Sequence, residues 1–84
     1  MNISRIEQRV LHVLALGGRI RHLRDGRRIV AVDCIDRDGR RLADCDLATF
    51  ERLRRRRLIR SSGGAPYVLS DLGRRSVRAE FDQR

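Results

Sequence analysis

At 84 residues the chain holds one domain and one modest core. A domain this small hides only roughly 60% of its unfolded surface, which excludes a second domain and a deep substrate cleft. Apolar residues make up 40% and the aromatics are only Phe50, Tyr67 and Phe81, so the core is expected to be aliphatic, built from Leu, Val and Ile. The formal charge is +9, and all twenty basic residues are arginine. A guanidinium offers a planar fork of donors that matches phosphate and carboxylate oxygens. Such a set suits contact with nucleic acid or with an acidic protein face. Coding bias toward arginine is one reading of the missing lysines, but it does not account for the net charge.

The first element is a helix over 4–16. Ser4-Arg5-Ile6-Glu7 has the spacing of a capping box. Ile6, Val10, Val13 and Leu14 then recur at helical intervals with Leu11 on the flank, and Gly17-Gly18 supplies a left-handed stop. The apolar stretch carries Glu7, Arg9 and His12, so it is neither a signal h-region nor a membrane span. A cytoplasmic location with reduced thiols is expected.

A three-stranded meander is expected over 19–45. Arg-Asp-Gly-Arg occurs at 24–27 and again at 37–40, each copy between β-prone runs. A two-residue Asp25-Gly26 loop would put Arg19 and Arg21 on the face of Val30 and Val32. A three-residue Arg24-Asp25-Gly26 loop instead places Ile20 and His22 with Val30, Val32 and Cys34. A one-residue choice of register decides the core face, and the second gives the cleaner core. A Gly-bulge turn is therefore expected at both copies, with Leu42 opposite Cys34.

A second helix follows over 46–56, capped by Asp46 or Asp44, with Leu47, Phe50 and Leu53 as its buried stripe. Thr49, Arg52 and Arg56 are expected to point away from that stripe, with Arg55 beside them. Arg54 and Arg57 fall on the apolar side, so either the helix ends by Arg56 or their stems snorkel outward. Residues 59–69 read as a hairpin with its tip at Ser62-Gly63-Gly64-Ala65. Ser70 caps a last helix over 71–81 with Leu72, Val77 and Phe81 as core contacts, and Gln83 and Arg84 fray.

The whole, residues 1–84, is expected to be a single α+β winged-helix-like domain with an inserted three-stranded antiparallel meander and a C-terminal wing hairpin plus helix. Winged-helix regulators keep a helix before the one that enters the major groove. Here a meander stands in that place, which argues against base reading and for phosphate-level contact that depends strongly on salt.

No catalytic residue, metal ligand or cofactor is expected. The spacings of Cys34, Cys45, His12 and His22 fit no zinc pattern. Cys34 and Cys45 lie on neighbouring predicted strands, where redox pairing is open to them. Asp33, Asp36, Asp38, Asp44 and Asp46 read as solvated loop charge, and no glycine loop has the form of a phosphate cradle. Residues 46–60 hold six arginines against two acids, the same +4 as residues 1–45 with ten against six. Thr49, Arg52, Arg55, Arg56 and Arg60 are accordingly the expected contacts to a partner or to nucleic acid.

The chain also resembles the YjhX-type toxin family of small bacterial proteins. The resemblance rests on Met1-Asn2-Ile3-Ser4-Arg5, Glu7-Gln8-Arg9, Leu11-His12-Val13-Leu14-Ala15 and Gly17-Gly18-Arg19-Ile20. It continues through His22, Arg24-Asp25, Asp44-Cys45, Leu47-Ala48, Phe50, Leu58-Ile59 and Pro66-Tyr67. The family's stretch after Phe50 is rich in lysine; here it is arginine, which keeps the charge and changes the scope for bidentate contact. The resemblance implies a toxin that binds DNA topoisomerase I and blocks relaxation of supercoiled DNA, with an antitoxin protein as partner. A DNA-binding transcriptional regulator is the alternative function.

Overall fold

A computed structural model describes residues 3–82 of the chain, with side chains through Val77. It is α+β, with three helices and two small antiparallel sheets. The expected core role of the Phe81 side chain lies outside the described side chains, and the fraying of Gln83 and Arg84 outside the described residues.

Helix α1 spans Arg5–Ala15, and the Ser4 hydroxyl accepts from the Glu7 N–H at 3.1 Å, as a capping residue should. Its buried face is Glu7, Val10, Leu11 and Leu14. That stripe is rotated from the expected one: Ile6 is 39% exposed, and Leu11 rather than Val13 lies deepest on its side. At the end, Gly17 takes φ 105° while the Gly17 and Gly18 N–H groups donate to Leu14 and Val13. These two bonds are the Schellman pattern that satisfies the last carbonyls.

Strands β1 (Arg19–Asp25) and β2 (Arg28–Ile35) form the first hairpin, with Ile20 opposite Cys34 and His22 opposite Val32. Ile20, His22, Val32 and Cys34 do share a face, but the three-residue loop is corrected. Asp25 pairs with Arg28 across a two-residue Gly26-Arg27 turn, and the register shifts between Leu23 and Arg24 so that Val30 bulges. Val30 is consequently exposed and Ile29 buried in its stead.

The second Arg-Asp-Gly-Arg does make the expected three-residue loop. Asp36 N–H donates to the Arg40 carbonyl at 2.8 Å, and Leu42 N–H to Cys34 at 2.8 Å. The difference is the preceding residue. The Asp36 carboxylate accepts from the N–H groups of Asp38 and Arg40 and so fixes the wider loop. Leu23, before the first copy, has no such acceptor. The third meander strand is also corrected, since only Arg41 makes a bridge, to Ile35, before the chain turns away.

Helix α2 (Leu47–Arg55) leads into β3 (Ile59–Arg60), which pairs antiparallel with β4 (Val68–Leu69). The two sheets meet at one point, where Ile20 and Tyr67 exchange both backbone hydrogen bonds at 2.9 and 2.8 Å. Pro66, with no N–H, ends the pairing there. Helix α3 (Asp71–Asp82) starts at Ser70, whose hydroxyl accepts from the Gly73 N–H at 3.0 Å. Val77 is buried as expected, but Leu72 sits at the surface.

Phe50, Leu53, Leu58, Ile20, Val10 and Cys34 form the centre of the core, joined by an edge-on contact of Phe50 and Tyr67 at 4.9 Å. Among the described residues no helix is long and apolar enough to cross a membrane.

Candidate functional site

The basic segment 46–60 is held at both ends of α2 and along one side. At the start, the Asp46 carboxylate accepts from the Thr49 N–H at 2.8 Å. The Thr49 N–H and hydroxyl, with Arg52 nearby, hold the Asp46 carboxyl below its ordinary value of 3.8. At the finish, Leu58 N–H donates to Leu53 and Arg57 N–H to Arg54, the same Schellman pattern that closes α1. The left-handed position is filled by Gly17 in α1 and by Arg57, φ 61°, in α2. A side chain there carries strain of about 1 kcal/mol. The Arg57 carbonyl is fixed by the Ser70 hydroxyl at 2.6 Å, so the turn carrying Arg57 is tied to the start of α3.

The five expected contact residues divide into two groups. Arg52 and Arg56 reach back to α1, where Glu7 accepts from Arg52 Nε at 3.3 Å and from Arg56 Nη1 at 3.2 Å. The Glu7 side chain is 3% exposed, while those of Arg52 and Arg56 are 43% and 37% exposed. Arg52 also donates to the Thr49 hydroxyl at 3.2 Å. Thr49, expected on the outward face, is 2% exposed and links Asp46 to this network. One polar chain thus runs Asp46, Thr49, Arg52, Glu7, Arg56, from the N-cap of α2 to its C-cap.

Arg55 and Arg60 form the second group. Both are exposed and make no ion pair among the described residues, and Arg57 stands between them in the same condition. Arg54, which the apolar stripe left ambiguous, is exposed and pairs with Glu51 one turn earlier at 3.6 Å. The network therefore neutralises part of the α2 charge and leaves Arg55, Arg57 and Arg60 exposed. Three basic side chains in the last turn also complement the negative end of the helix dipole.

Sequence reasoning assigned Glu7 only to a capping box. The signal for its second role is its place at i−3, i−4 and i−7 from Val10, Leu11 and Leu14, which puts a carboxylate on the core stripe. A buried carboxylate calls for a cationic partner.

Elsewhere, Cys34 and Cys45 are buried free thiols. The neighbouring Cys45 thiol and burial push Cys34 far above its ordinary value. His22 packs edge-on against Tyr67 at 5.2 Å with its Nδ1 buried and unpartnered. Among the described residues no three metal-ligating side chains come together.

Comparison with known proteins places the chain in a family. A family model described as "Putative toxin of bacterial toxin-antitoxin pair", the YjhX toxin model, matches residues 1–84. A UPF0386 protein of Rhodospirillum rubrum is 64% identical, with the alignment covering 100% of this chain and 94% of that protein. One from Beijerinckia indica is 62% identical over the full length of both. Another, from Caulobacter vibrioides, is 51% identical over 100% of this chain and 93% of its own. No solved structure matches. The chain belongs to the YjhX toxin family, and a toxin of such a pair implies an antitoxin partner.

Proposed function

We propose that this chain is a toxin-type inhibitory protein that works in the cytoplasm by docking, without catalysis, and that its target is DNA topoisomerase I, engaged directly or together with its DNA. The observation that carries this reading is the arginine cluster at Arg55, Arg57 and Arg60, left without acidic partners while Arg52 and Arg56 are braced by Glu7. The backbone that carries them is fixed by the capped end of α2 and by β3, and their guanidinium groups stay free to meet phosphate or carboxylate oxygens. Guanidinium groups suit both kinds of oxygen. The target itself is implied by the family resemblance, not by the charge.

A second reading, a winged-helix DNA-binding regulator, draws support from one observation. The bridge of Ile20 to Tyr67 attaches the β3–β4 hairpin to β1, and the order of α2 followed directly by a two-stranded hairpin is one that a recognition helix and its wing would share. Phosphate contact through Arg55, Arg57 and Arg60 would then serve the same surface in either role.

Pull-down of topoisomerase I on the immobilised protein, before and after nuclease treatment, separates the two. Retention after nuclease supports direct docking. Loss of the enzyme only after nuclease supports engagement together with DNA, and duplex binding at low salt with no retention of the enzyme in either state supports the regulator. Failure to retain the enzyme or any duplex would reject both.

A further inference from the structure

We infer that the cleft between the β1–β2 turn and α2 is a second docking site, which takes an extended acidic segment of a partner protein carrying an aliphatic side chain. The cleft has a volume of about 360 Å³ and is lined by Arg27, Arg28 and Ile29 from the hairpin and by Leu47, Glu51 and Arg54 from α2. Leu47, Glu51 and Arg54 follow one another at i, i+4 and i+7, so they form a single stripe along the helix. That stripe is distinct from the Arg55, Arg57 and Arg60 cluster already described.

The lining specifies its occupant. Three guanidinium groups stand against one carboxylate, and Arg54 pairs with that carboxylate at 3.6 Å. Arg27 and Arg28 carry no ion pair among the described residues and stay available. The two-residue turn aims them, and the Arg24 guanidinium donates to the Arg27 carbonyl at 3.3 Å to hold it. The apolar part is Ile29, buried against the core, and Leu47, partly buried beside it. An aliphatic side chain can rest on these two while flanking carboxylates reach the guanidinium forks.

Nucleic acid fits less well. A duplex backbone has no aliphatic group to set on Ile29 and Leu47. Single strands are gripped by stacking bases on aromatic rings, and no aromatic ring lines the cleft.

The test uses the full chain and a fluorescein-labelled six-residue peptide alternating glutamate and leucine. The controls are a peptide of equal charge with serine for leucine and an eight-nucleotide oligothymidine. The leucine peptide should bind about tenfold tighter than the serine peptide, a difference of ~1.4 kcal/mol. Its amide shift changes in wild-type protein should centre on residues 27–29, 47, 51 and 54. Arg27→Ala with Arg28→Ala should weaken it about tenfold, whereas Arg55→Ala with Arg60→Ala should leave it within about twofold. Equal binding of the two peptides would overturn the proposal. So would shift changes centred on 55–60, or displacement of the peptide from the cleft by the oligonucleotide at equal charge. None of these outcomes depends on topoisomerase I, so this site and the proposed function fail separately.

Discussion

Replacing Glu7 by Gln isolates the brace on which the arginine face rests. The change keeps side-chain volume and removes the charge that Arg52 and Arg56 share at 3.3 and 3.2 Å. An exposed ion pair contributes roughly 0–1 kcal/mol, whereas stranding one partner of a fully buried pair costs about 3–5 kcal/mol. This network lies between: the carboxylate is buried, but both arginines keep more than a third of their surface in water and are not stranded. The expected loss is therefore about 2 kcal/mol. In a domain of this size each kcal/mol shifts Tm by about 4–8 °C, so Tm should fall by roughly 8–16 °C in a circular dichroism melt. Glu7 also lies in the first turn of α1, where a negative charge gains about 0.3–1 kcal/mol from the helix dipole. A double-mutant cycle with Arg52→Gln removes that contribution and should leave a coupling of about 1 kcal/mol, while a cycle with Arg60→Gln should give none. The coupling should persist at about 1 M salt, because a buried carboxylate is poorly screened. A Tm change below about 3 °C for Glu7→Gln, or equal coupling to Arg52 and Arg60, would refute the brace.

Gly73→Ala should destabilise the chain by about 1–3 kcal/mol, since a Cβ there would run into the Leu58 carbonyl oxygen, although Ala normally favours a helix by about 1 kcal/mol; a gain in denaturant midpoint would show that contact to be relaxed. Arg57→Gly should stabilise by up to roughly 0.6 kcal/mol, the relief of left-handed strain less the added freedom of Gly in the unfolded chain, readable in the same melt. Asp46→Asn keeps a capping acceptor and removes a carboxylate whose folded value is depressed. Its stabilising contribution is present above the unfolded value and is lost as pH falls through the folded one, so wild type should be the more stable at neutral pH and the gap should close in acid. A gap that widens as pH falls would contradict that assignment.

The helices were the most legible part of the sequence because their signals are local. Ser4, Asp46 and Ser70 all cap as their positions suggest, and Gly17 ends α1 where a left-handed residue is needed. The sheet was less legible because its signals depend on neighbours. Two identical tetrapeptides make different turns, and the deciding residue, Asp36, lies outside the repeat. The bulge at Val30 and the loss of the third strand follow from that turn choice and from a chain that leaves β2 after one bridge at Arg41. At the site, the helical wheel of α2 could not see α1, to which Arg52 and Arg56 reach back. Glu7 acquires its second role only when the two helices pack, which brings Arg52 and Arg56, 45 and 49 positions further along, within hydrogen-bond distance of it. The cleft beside Leu47 was invisible for the same reason, since its walls come from a turn and a helix separated in sequence.

On the proposed function, arginines at and after the end of α2 dock the protein onto topoisomerase I and so inhibit it. The direct measurement is relaxation of negatively supercoiled plasmid by topoisomerase I, titrated with wild type and with a variant carrying Arg55→Ala, Arg57→Gly and Arg60→Ala. The variant is chosen because none of the three side chains is buried and Gly suits the left-handed position. Wild type should halt relaxation near stoichiometric ratio, and the variant, equally folded by circular dichroism, should need at least about tenfold more protein. Relaxation that proceeds unimpeded with wild type, or that is blocked equally by the variant, would contradict the account.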